Sequence, residues 1–565
     1  MWKVNPVRGW FSVGARASVV PARVVALDWL LFVASVGILI ATIWGKFRST
    51  GPIVLVGFTI FGWVAGAIDR RAACRRLAVL LVAFAAAYAI RHYSQFSPFA
   101  HRVGRLVLVS GLGLTAILST PLTLVSRLAM LSARLARSPR GYAAALVAIL
   151  GVALPVTVCQ WNTSIHVWTG DTLPLVPTVV QMAKSGSREL SSYVSPSGLA
   201  RWDICGPGRP YFVREVPTGP GVFSTYPAGM EIFAWPGVLI AMATGQNLRD
   251  DHTLFLIEKL TASILCGLSL GLFFLIGLRI GSPEAAYATT WLLALGSVFT
   301  TTLGMLLWQQ GGIVFWLLVV LLVEFSTQGK MGWKGILFQG LACGCMLACR
   351  PSAVTFLVPF GLWVLARDWR RGLLVPICAI ACYLPWAAMY YAIYRNPFGP
   401  SMGFLSEQWF PGEHILGVLF SPGRGLIVYQ PWMLFLGLLA FRKVRANPTN
   451  APVGWAAFAI ATAACQLVLI GSWPIWWGGY CYGSRLVAEI VPIAGLFAIR
   501  PVGYLLSARW GWAAVTAIGL LGFAIHAPCA YYDAWLWNPL PVSIDANPWR
   551  LWDWSRPPFL YNLMP

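Results

Sequence analysis

Long apolar stretches alternate with short polar segments along the whole chain. Many of these stretches reach roughly 18–25 residues, the length that an α-helix needs to cross the hydrocarbon core of a bilayer. The pattern predicts an all-α, polytopic transmembrane bundle of about fifteen helices. The external loops are predicted to carry short helices at the membrane surface. The predicted spans are 24–45, 52–68, 77–90, 106–125, 141–159, 254–278, 284–303, 312–325, 336–349, 352–366, 372–394, 427–441, 453–471, 486–499 and 511–530.

The composition excludes an ordinary soluble protein. Hydrophobic residues make up 58% of the 565 residues and charged residues 11%, whereas soluble domains carry about 25% charged residues. The mean hydropathy is +0.69. Many of the 29 Trp residues stand at the ends of apolar runs, where the aromatic belts of membrane proteins lie.

The net charge of +22 predicts the orientation of the helices rather than a nucleic-acid partner. Lys and Arg concentrate in cytoplasmic loops. With the N-terminus inside, the basic clusters fall inside and most acidic residues fall outside. The chain is therefore predicted to lie in the inner (plasma) membrane, with its site on the external or periplasmic side. The inside clusters include Arg70, Arg71, Arg75, Arg76, Arg127, Arg134, Arg137, Arg140, Lys330, Lys334, Arg367, Arg370, Arg371, Arg442, Lys443 and Arg445.

Three regions differ in composition. Residues 1–140 read as an N-terminal extension of about four spans, and the sequence assigns it no role. Residues 141–530 form the transmembrane core, which includes a large external loop at 160–253. Residues 531–565 form an external tail rich in Trp and Pro.

Asp171 lies in the large external loop, just before a mildly amphipathic helix that runs from Val176 to Lys184. A carboxylate that is partly removed from water at a membrane surface can accept a proton from a hydroxyl nucleophile. The same position suits a helix N-cap, since Asp side chains accept hydrogen bonds from the first turn. The residues alone leave both interpretations open.

Three Arg residues stand at candidate positions outside the apolar runs. Arg350 precedes Pro351 between two short runs, which predicts a tight hairpin or a broken helix. At membrane depth such an Arg faces a cavity or a partner, or its side chain reaches the interface. Arg424 lies in a Gly/Pro turn, and Arg485 ends the segment 473–485.

The segment 473–485 combines aromatic side chains with three glycines. Aromatic faces stack on sugars, and Arg binds phosphate through two parallel hydrogen bonds. The alternative is an aromatic belt at the membrane interface, with an Arg that only sets the topology. Such a belt needs no backbone flexibility, so the three glycines argue against it. The aromatic candidates are Trp476, Trp477, Tyr480 and Tyr482.

The order of these segments resembles the GT-C superfamily of polytopic glycosyltransferases. The likeness is to the bacterial branch similar to protein O-mannosyltransferases and to lipopolysaccharide-modifying transferases that use polyprenyl-phosphate sugars. It covers about 141–565. The chain departs from many relatives at two places where they carry an acid. These places hold Thr172 and Trp308-Gln309-Gln310. The matching motifs are Gly170-Asp171-Thr172, Tyr226-Pro227-Ala228-Gly229, Ala348-Cys349-Arg350-Pro351-Ser352, Asn396-Pro397-Phe398-Gly399, Phe420-Ser421-Pro422-Gly423-Arg424-Gly425-Leu426, Trp477-Gly478-Gly479-Tyr480-Cys481-Tyr482-Gly483-Ser484-Arg485 and Pro548-Trp549-Arg550-Leu551-Trp552-Asp553-Trp554.

The resemblance implies an inverting transfer of a hexosyl or pentosyl unit from a polyprenyl-phosphate carrier to an acceptor hydroxyl in the cell envelope. Asp171 would be the general base, and Arg485, with Arg424 or Arg350, would bind the donor phosphate. The acceptor would be a lipid, a glycan or a protein. The substrate-binding residues would be Tyr226, Trp476, Trp477, Tyr480 and Tyr482.

No cofactor is required by this mechanism, and no metal site is predicted. The sequence leaves open a divalent cation held by Asp171 with Glu215, Glu231 or Asp251 through oxygen ligands. The six His residues do not cluster at ligand spacing. No Walker A loop, dinucleotide fingerprint or HExxH pair occurs, which argues against a nucleotide-driven pump.

Two other functions remain open at this stage. A transporter or flippase of lipid-linked sugars predicts charges or broken helices at mid-bilayer and internal inverted repeats. Buried charges are few, and no repeat is evident in the sequence. An assembly partner without catalysis is the other alternative, because Thr172 and Gln309 replace acids.

Overall fold

The structure of the chain is a computed structural model. It describes residues 148–161, 163, 169–194, 212–327, 330–399, 412–443, 454–508, 510–531 and 534–563. The predictions for the extension at 1–140 and for its spans lie outside these residues.

The described part of the chain is predominantly helical. Tight 3-10 turns at Ala228–Met230, Pro351–Ala353 and Arg485–Val487 precede the helices at three points. The α-helices are α1 (Leu154–Trp161), α2 (Leu175–Ser185), α3 (Ser191–Val194), α4 (Glu231–Ala243), α5 (Asp251–Ile280), α6 (Pro283–Leu295), α7 (Gln309–Thr327), α8 (Trp333–Cys349), α9 (Val354–Arg367), α10 (Trp369–Tyr394), α11 (Gly412–Phe420), α12 (Leu426–Tyr429), α13 (Pro431–Lys443), α14 (Trp455–Gly471), α15 (Ile490–Ser507) and α16 (Gly511–Tyr531). Further 3-10 turns in the tail are Ala534–Trp537, Pro548–Trp552 and Pro558–Leu563.

The predicted all-α class is confirmed. Each span predicted between 141 and 530 overlaps a described helix. The span 284–303 covers α6 and a separate π-helical turn at Phe299–Leu303, and the span 427–441 covers both α12 and α13. Five of the described helices are long and apolar enough to cross a membrane, namely α5, α7, α10, α15 and residues Ala513–Tyr531 of α16. The chain is a multi-pass membrane protein, and the total of about fifteen spans stays a prediction.

Short polar sequences set where successive helices begin. The side chain of Asp250 accepts a hydrogen bond from the Thr253 amide at the start of α5. Ser282 caps α6 in the same way, with Pro283 in its first turn. Asp368 accepts from the amides of Arg370 and Arg371 and begins α10 one residue after α9 ends. These caps satisfy amides that the helices leave unpaired.

The large external loop contains the two described strands. β1 (Val213–Val216) and β2 (Gly219–Ser224) form an antiparallel hairpin in which Val213 lies opposite Ser224. The Thr218 hydroxyl in the turn donates to the carbonyl of Ile393, at 2.9 Å. The hairpin is thereby attached to the last turn of α10.

A helix break at Arg350, one of the two arrangements predicted from the sequence, is confirmed. Arg350 is extended, with φ −166° and ψ 133°, between the end of α8 and the turn that leads into α9. Pro351 has no amide hydrogen to continue α8, and it disfavours helical geometry at the residue before it. The break places Arg350 at the end of α8 rather than within a helix.

The helices separate two groups of charged residues. Asp171 and Gln309 lie at the start of α7, where the Gln309 side chain donates to the Asp171 carbonyl. Lys330 follows the other end of α7, after 19 helical residues or about 28 Å. Residues predicted on the external face therefore meet at one end of α7, and two predicted inside clusters meet at the other.

Candidate active site

The Asp171 carboxylate is held by two side chains from distant parts of the sequence. Its Oδ1 accepts a hydrogen bond from the Tyr226 hydroxyl at 2.5 Å. Its Oδ2 lies 2.5 Å from Nη1 of Arg485. The Asp171 side chain remains 19% exposed, against 6% for Arg485, so solvent or a substrate can reach the carboxylate.

Asp171 does not cap the helix that follows it. The N-cap of α2 is Pro174, and no side chain donates or accepts there. The capping interpretation is therefore wrong, because both carboxylate oxygens point to Tyr226 and Arg485 instead.

Tyr226 is positioned by a close approach between the turn that follows it and the end of α8. A Cβ on Gly229 would lie 2.3 Å from the carbonyl carbon of Ala348, so only glycine permits this contact. The Tyr390 hydroxyl accepts from the Ala228 amide at 2.5 Å. The Tyr394 hydroxyl donates to the Ser224 carbonyl at 2.6 Å. Two tyrosines of α10 therefore fix the segment on either side of Tyr226.

Arg485 is buried between an aromatic ring and a glycine turn. Its guanidinium carbon lies 4.0 Å from the centroid of the Trp308 ring, within the range of a cation–π contact. Its Nη2 donates to the Gly478 carbonyl at 2.6 Å. Burial is the largest single influence and lowers the pKa of Arg485. The charge of Asp171 and its hydrogen bond, together with Cys481 and Tyr226, outweigh burial and raise that pKa above its usual range.

The turn that carries Gly478 requires left-handed backbone. Gly478, Gly479 and Gly483 have φ values of 75°, 67° and 64°, which side chains with a Cβ rarely adopt. In the sequence these glycines argue against a plain aromatic belt, and in the structure all three adopt left-handed geometry. They fold the segment 473–485 so that the Gly478 carbonyl faces Arg485.

The Trp308-Gln309 pair completes the surroundings of Asp171. Gln309 Nε2 donates to the Asp171 carbonyl at 3.3 Å, and Trp308 covers Arg485. Lys259, fully buried in α5, donates to the Gly304 carbonyl at 3.3 Å just before this pair. The sequence analysis noted that many relatives carry an acid at Trp308-Gln309-Gln310. It did not place these residues in the site.

A second acid and base lie beside this pair of charges. Arg350 is within electrostatic range of Glu489, Arg485 and Asp171, and its Nη1 is buried with no hydrogen-bond partner among the described residues. Burial lowers the pKa of Arg350, although Glu489 opposes that shift. Burial raises the pKa of Glu489 to about 7, although Arg350 opposes it. Asp171, Arg350, Arg485 and Glu489 are named the charge cluster below.

Glu489 was missed by the sequence analysis. It stands four residues after Arg485, one helical turn away, and directly before the apolar residues of α15. An ionisable residue at the edge of a span usually faces a partner or a cavity, and this spacing was the available signal.

Arg424 lies near the same glycine turn but is occupied by the protein itself. Its Nε donates to the Trp477 carbonyl at 2.9 Å, and its Nη2 donates to the Gly479 carbonyl at 3.1 Å and to Asn538 Oδ1 at 2.5 Å. Its Nη1 donates to its neighbour's carbonyl, that of Gly423. None of these bonds reaches the charge cluster, so Arg424 holds the turn against the C-terminal tail.

The four aromatic candidates of 473–485 do not converge on Asp171. Trp477 Nε1 donates to Asp545 at 2.8 Å, and the Tyr480 hydroxyl donates to Ser543 at 2.6 Å, which joins both to the tail. The Trp476 ring is 5% exposed and packs against Gly417. The Tyr482 hydroxyl donates to the carbonyl of Ile525. Trp476 and Tyr482 are core residues, while the half-buried Trp477 and the exposed Tyr480 remain accessible.

The acids considered for a cation are dispersed. Glu231 forms a buried, bidentate ion pair with Arg188. Glu215 is exposed on β1. Within the described ranges, no three His, Cys, Asp or Glu side chains come together as metal ligands would. The described acids therefore do not form such a ligand set around Asp171.

Comparisons with known proteins add a likeness in structure alone. The sequence matches no protein-family model and no curated protein. A crystal structure of the oligosaccharyltransferase of Archaeoglobus fulgidus, tethered through a disulfide bond to an acceptor peptide with the sequon NVT, is similar over 72% of this chain. The identity is 12% and the TM-score 0.44, and this chain spans 59% of the length of that chain. At this level of similarity the chemistry has to be argued from the charge cluster itself.

Proposed function

We propose that the chain is a GT-C-type membrane glycosyltransferase that moves a sugar from a polyprenyl-phosphate carrier to an acceptor hydroxyl on the non-cytoplasmic face. The observation that carries the proposal is the charge cluster, in which a partly exposed carboxylate contacts a tyrosine hydroxyl and a buried guanidinium. A second guanidinium, that of Arg350, lies within electrostatic range. A base beside two cations suits a reaction in which a hydroxyl loses a proton while a phosphate leaves.

The donor phosphate is expected to bind at unpaired donors of the cluster. Arg350 Nη1, Arg485 Nε and the Ser484 hydroxyl are buried and have no hydrogen-bond partner among the described residues. Buried polar groups are almost always hydrogen-bonded, so such a group calls for a ligand or water. A phosphate oxygen supplies the missing acceptor, and guanidinium binding of phosphate is strong and directional.

In the proposed step the acceptor oxygen attacks the anomeric carbon from the face opposite the phosphate. The new carbon–oxygen bond forms as the bond to the phosphate oxygen breaks, and the acceptor proton passes to Asp171. The leaving polyprenyl phosphate takes the bonding electron pair, and Arg350 and Arg485 stabilise its charge. General-base catalysis of this kind contributes about 10²–10⁴ in rate.

The ion pair with Arg485 has a consequence for this role. A guanidinium partner stabilises the ionised carboxylate and weakens it as a base. We propose that the bound donor phosphate accepts hydrogen bonds from the Arg485 guanidinium and so weakens its ion pair with Asp171. The Asp171 carboxylate then becomes a stronger base. The base would then be activated only when the donor is present, and water would be a poor competitor before that.

The test replaces Asp171 by Asn, which keeps the shape and removes the charge. Purified full-length wild type and Asp171→Asn are incubated with polyprenyl-phosphate sugars and with acceptor fractions from the cell envelope, and the transferred sugar is measured. We expect the variant to transfer at least about a hundredfold more slowly. Asp553→Asn, the same change in the tail away from the cluster, is the matched control and should keep the wild-type rate.

Equal rates for wild type and Asp171→Asn would contradict the general-base role. Reconstituted vesicles provide a second readout, the movement of the lipid-linked sugar between leaflets. Translocation by both proteins without any transfer would favour the flippase alternative instead.

A further inference from the structure

A polar cavity lies at the end of α7 opposite the charge cluster. Its volume is about 530 Å³, and it lies where α7 ends, α9 ends and α10 begins. It brings together two basic loops that are separated in the sequence. The lining residues are Lys330, Leu365, Ala366, Arg367, Asp368, Trp369 and Arg371.

The two arginines of the cavity are fixed by one buried acid. Glu324, in the last turn of α7, is fully buried. It lies 2.5 Å from Arg367 Nη1 and 2.6 Å from Arg371 Nη2. Asp368 adds a second negative charge, which caps the start of α10. Three basic side chains against these two acids leave a net positive charge, and the arginines are held in place before any ligand binds.

Part of the cavity wall is apolar and exposed. Trp369 is 63% exposed and Leu365 is 41% exposed, although both are large hydrophobic side chains. Arg370 stacks over Trp369 with its guanidinium carbon 5.5 Å from the ring centroid. Exposed Trp beside Lys and Arg is typical of the level of lipid head groups. A free anion would need only the charges, whereas an amphiphile uses both the charges and these walls.

We propose that this cavity binds the phosphate of an anionic phospholipid, with Lys330 and Arg367 contacting the head group and Leu365 and Trp369 contacting the first part of its acyl chains. Basic pockets between transmembrane helices bind anionic lipid head groups in this way. The site lies about 28 Å from Asp171 along α7 and uses none of the charge cluster. The proposal therefore stands independently of the proposed glycosyltransferase activity.

The test measures lipid binding to the purified full-length protein in a neutral detergent. Native mass spectrometry follows the retention of phosphatidylglycerol and of phosphatidylcholine as each is titrated. We expect phosphatidylglycerol to bind preferentially to wild type. The double variant Lys330→Gln/Arg367→Gln should bind it about 25-fold more weakly, since each basic side chain near an anionic lipid contributes roughly fivefold.

Two further variants separate lipid binding from damage to the fold. Lys330→Gln alone changes an exposed residue outside the Glu324 pairs and should weaken binding about fivefold without lowering the thermal midpoint. Arg500→Gln removes a half-buried charge of α15 that does not line the cavity, and it should bind phosphatidylglycerol as wild type does.

Equal binding of the two lipids to wild type would overturn the proposal, as would full retention of phosphatidylglycerol by the double variant. Inorganic phosphate is the third ligand. If phosphate alone raises the thermal midpoint as much as phosphatidylglycerol, the cavity binds a free anion and the lipid proposal fails.

Discussion

Glu489 couples the charge cluster to pH at the scale of a single residue. Its carboxyl is fully buried, and burial raises its pKa from 4.5 to about 7 despite the nearby Arg350. The folded protein therefore holds this proton more tightly than the unfolded chain does. The stabilisation is complete below the unfolded pKa and is lost as the pH rises through about 7, a change on the order of 3 kcal/mol.

We expect the thermal midpoint of the detergent-solubilised protein to fall between about pH 5 and about pH 7.5. Glu489→Gln carries no titrating proton at this position, so its midpoint should change less over the same range. Scanning calorimetry or intrinsic fluorescence at a series of pH values gives both curves. Parallel curves for wild type and Glu489→Gln would show that another group is responsible.

A second prediction at the scale of single residues concerns the hydroxyl of Tyr226. Tyr226→Phe removes the hydroxyl that donates to Asp171 Oδ1, and a hydrogen bond to a charged group contributes about 1.5–3 kcal/mol. Loss of this donor destabilises the ionised carboxylate and raises its pKa. Tyr226 also holds the carboxylate in one orientation, and we expect loss of that positioning to outweigh the gain in basicity and to slow transfer by about tenfold. The acidic limb of the rate profile should move to higher pH.

The pH profile distinguishes this effect from general damage. Tyr391→Phe, which changes a tyrosine of α10 with 54% exposure, is the matched control and should leave rate and profile unchanged. A Tyr226→Phe enzyme that is slower at every pH without any displacement of the acidic limb would contradict a contact with the base.

At the scale of elements, the contact between Gly229 and the end of α8 positions both Tyr226 and Arg350. A Cβ at Gly229 would lie 2.3 Å from backbone atoms of Ala348 and Cys349, and backbone cannot move aside as a flexible side chain can. We expect Gly229→Ala to lower stability by about 1–3 kcal/mol and to slow transfer more than Tyr226→Phe does, because two residues of the site are displaced together.

Gly361→Ala provides the control for that prediction. Gly361 lies in α9, and a Cβ added there would meet no atom within 4 Å. Ala favours a helix over Gly by up to about 1 kcal/mol, so the thermal midpoint of Gly361→Ala should stay level or rise. If Gly229→Ala behaves like Gly361→Ala in stability and rate, the close approach does not position the site.

The helices were more predictable than the contacts between them. Apolar length and Pro351 predicted the spans and the break at Arg350, because both depend on local sequence. The partnership of Asp171 with Tyr226 and Arg485 joins residues far apart in the chain, and spacing gives no distance for such pairs. Arg424 shows the same limit, since the local sequence does not predict its three hydrogen bonds to the turn and the tail.

At the scale of the whole molecule, the alternation of helices separates two kinds of charge. The charge cluster lies at the start of α7, with acids and bases in equal number. The phospholipid cavity follows the end of the same helix, with bases in excess. Basic loops favour the cytoplasmic side, so the separation predicts that the phospholipid cavity faces the cytoplasm and the charge cluster faces outward.

Cysteine labelling in intact cells tests this orientation. Lys334→Cys places a thiol in the exposed first turn of α8, four residues after Lys330 of the cavity, and Ser555→Cys places one in the exposed tail on the side of the charge cluster. We expect a membrane-impermeant maleimide that reaches only the outer face of the membrane to label Ser555→Cys at once. Lys334→Cys should react only after the membrane is permeabilised. The unsubstituted protein measures the background from natural cysteines such as the exposed Cys465.

Labelling of Lys334→Cys before permeabilisation, with Ser555→Cys protected, would show that the orientation is the reverse of the predicted one. Asp171 would then face the cytoplasm, where a carrier-linked sugar displayed on the outer face could not reach it.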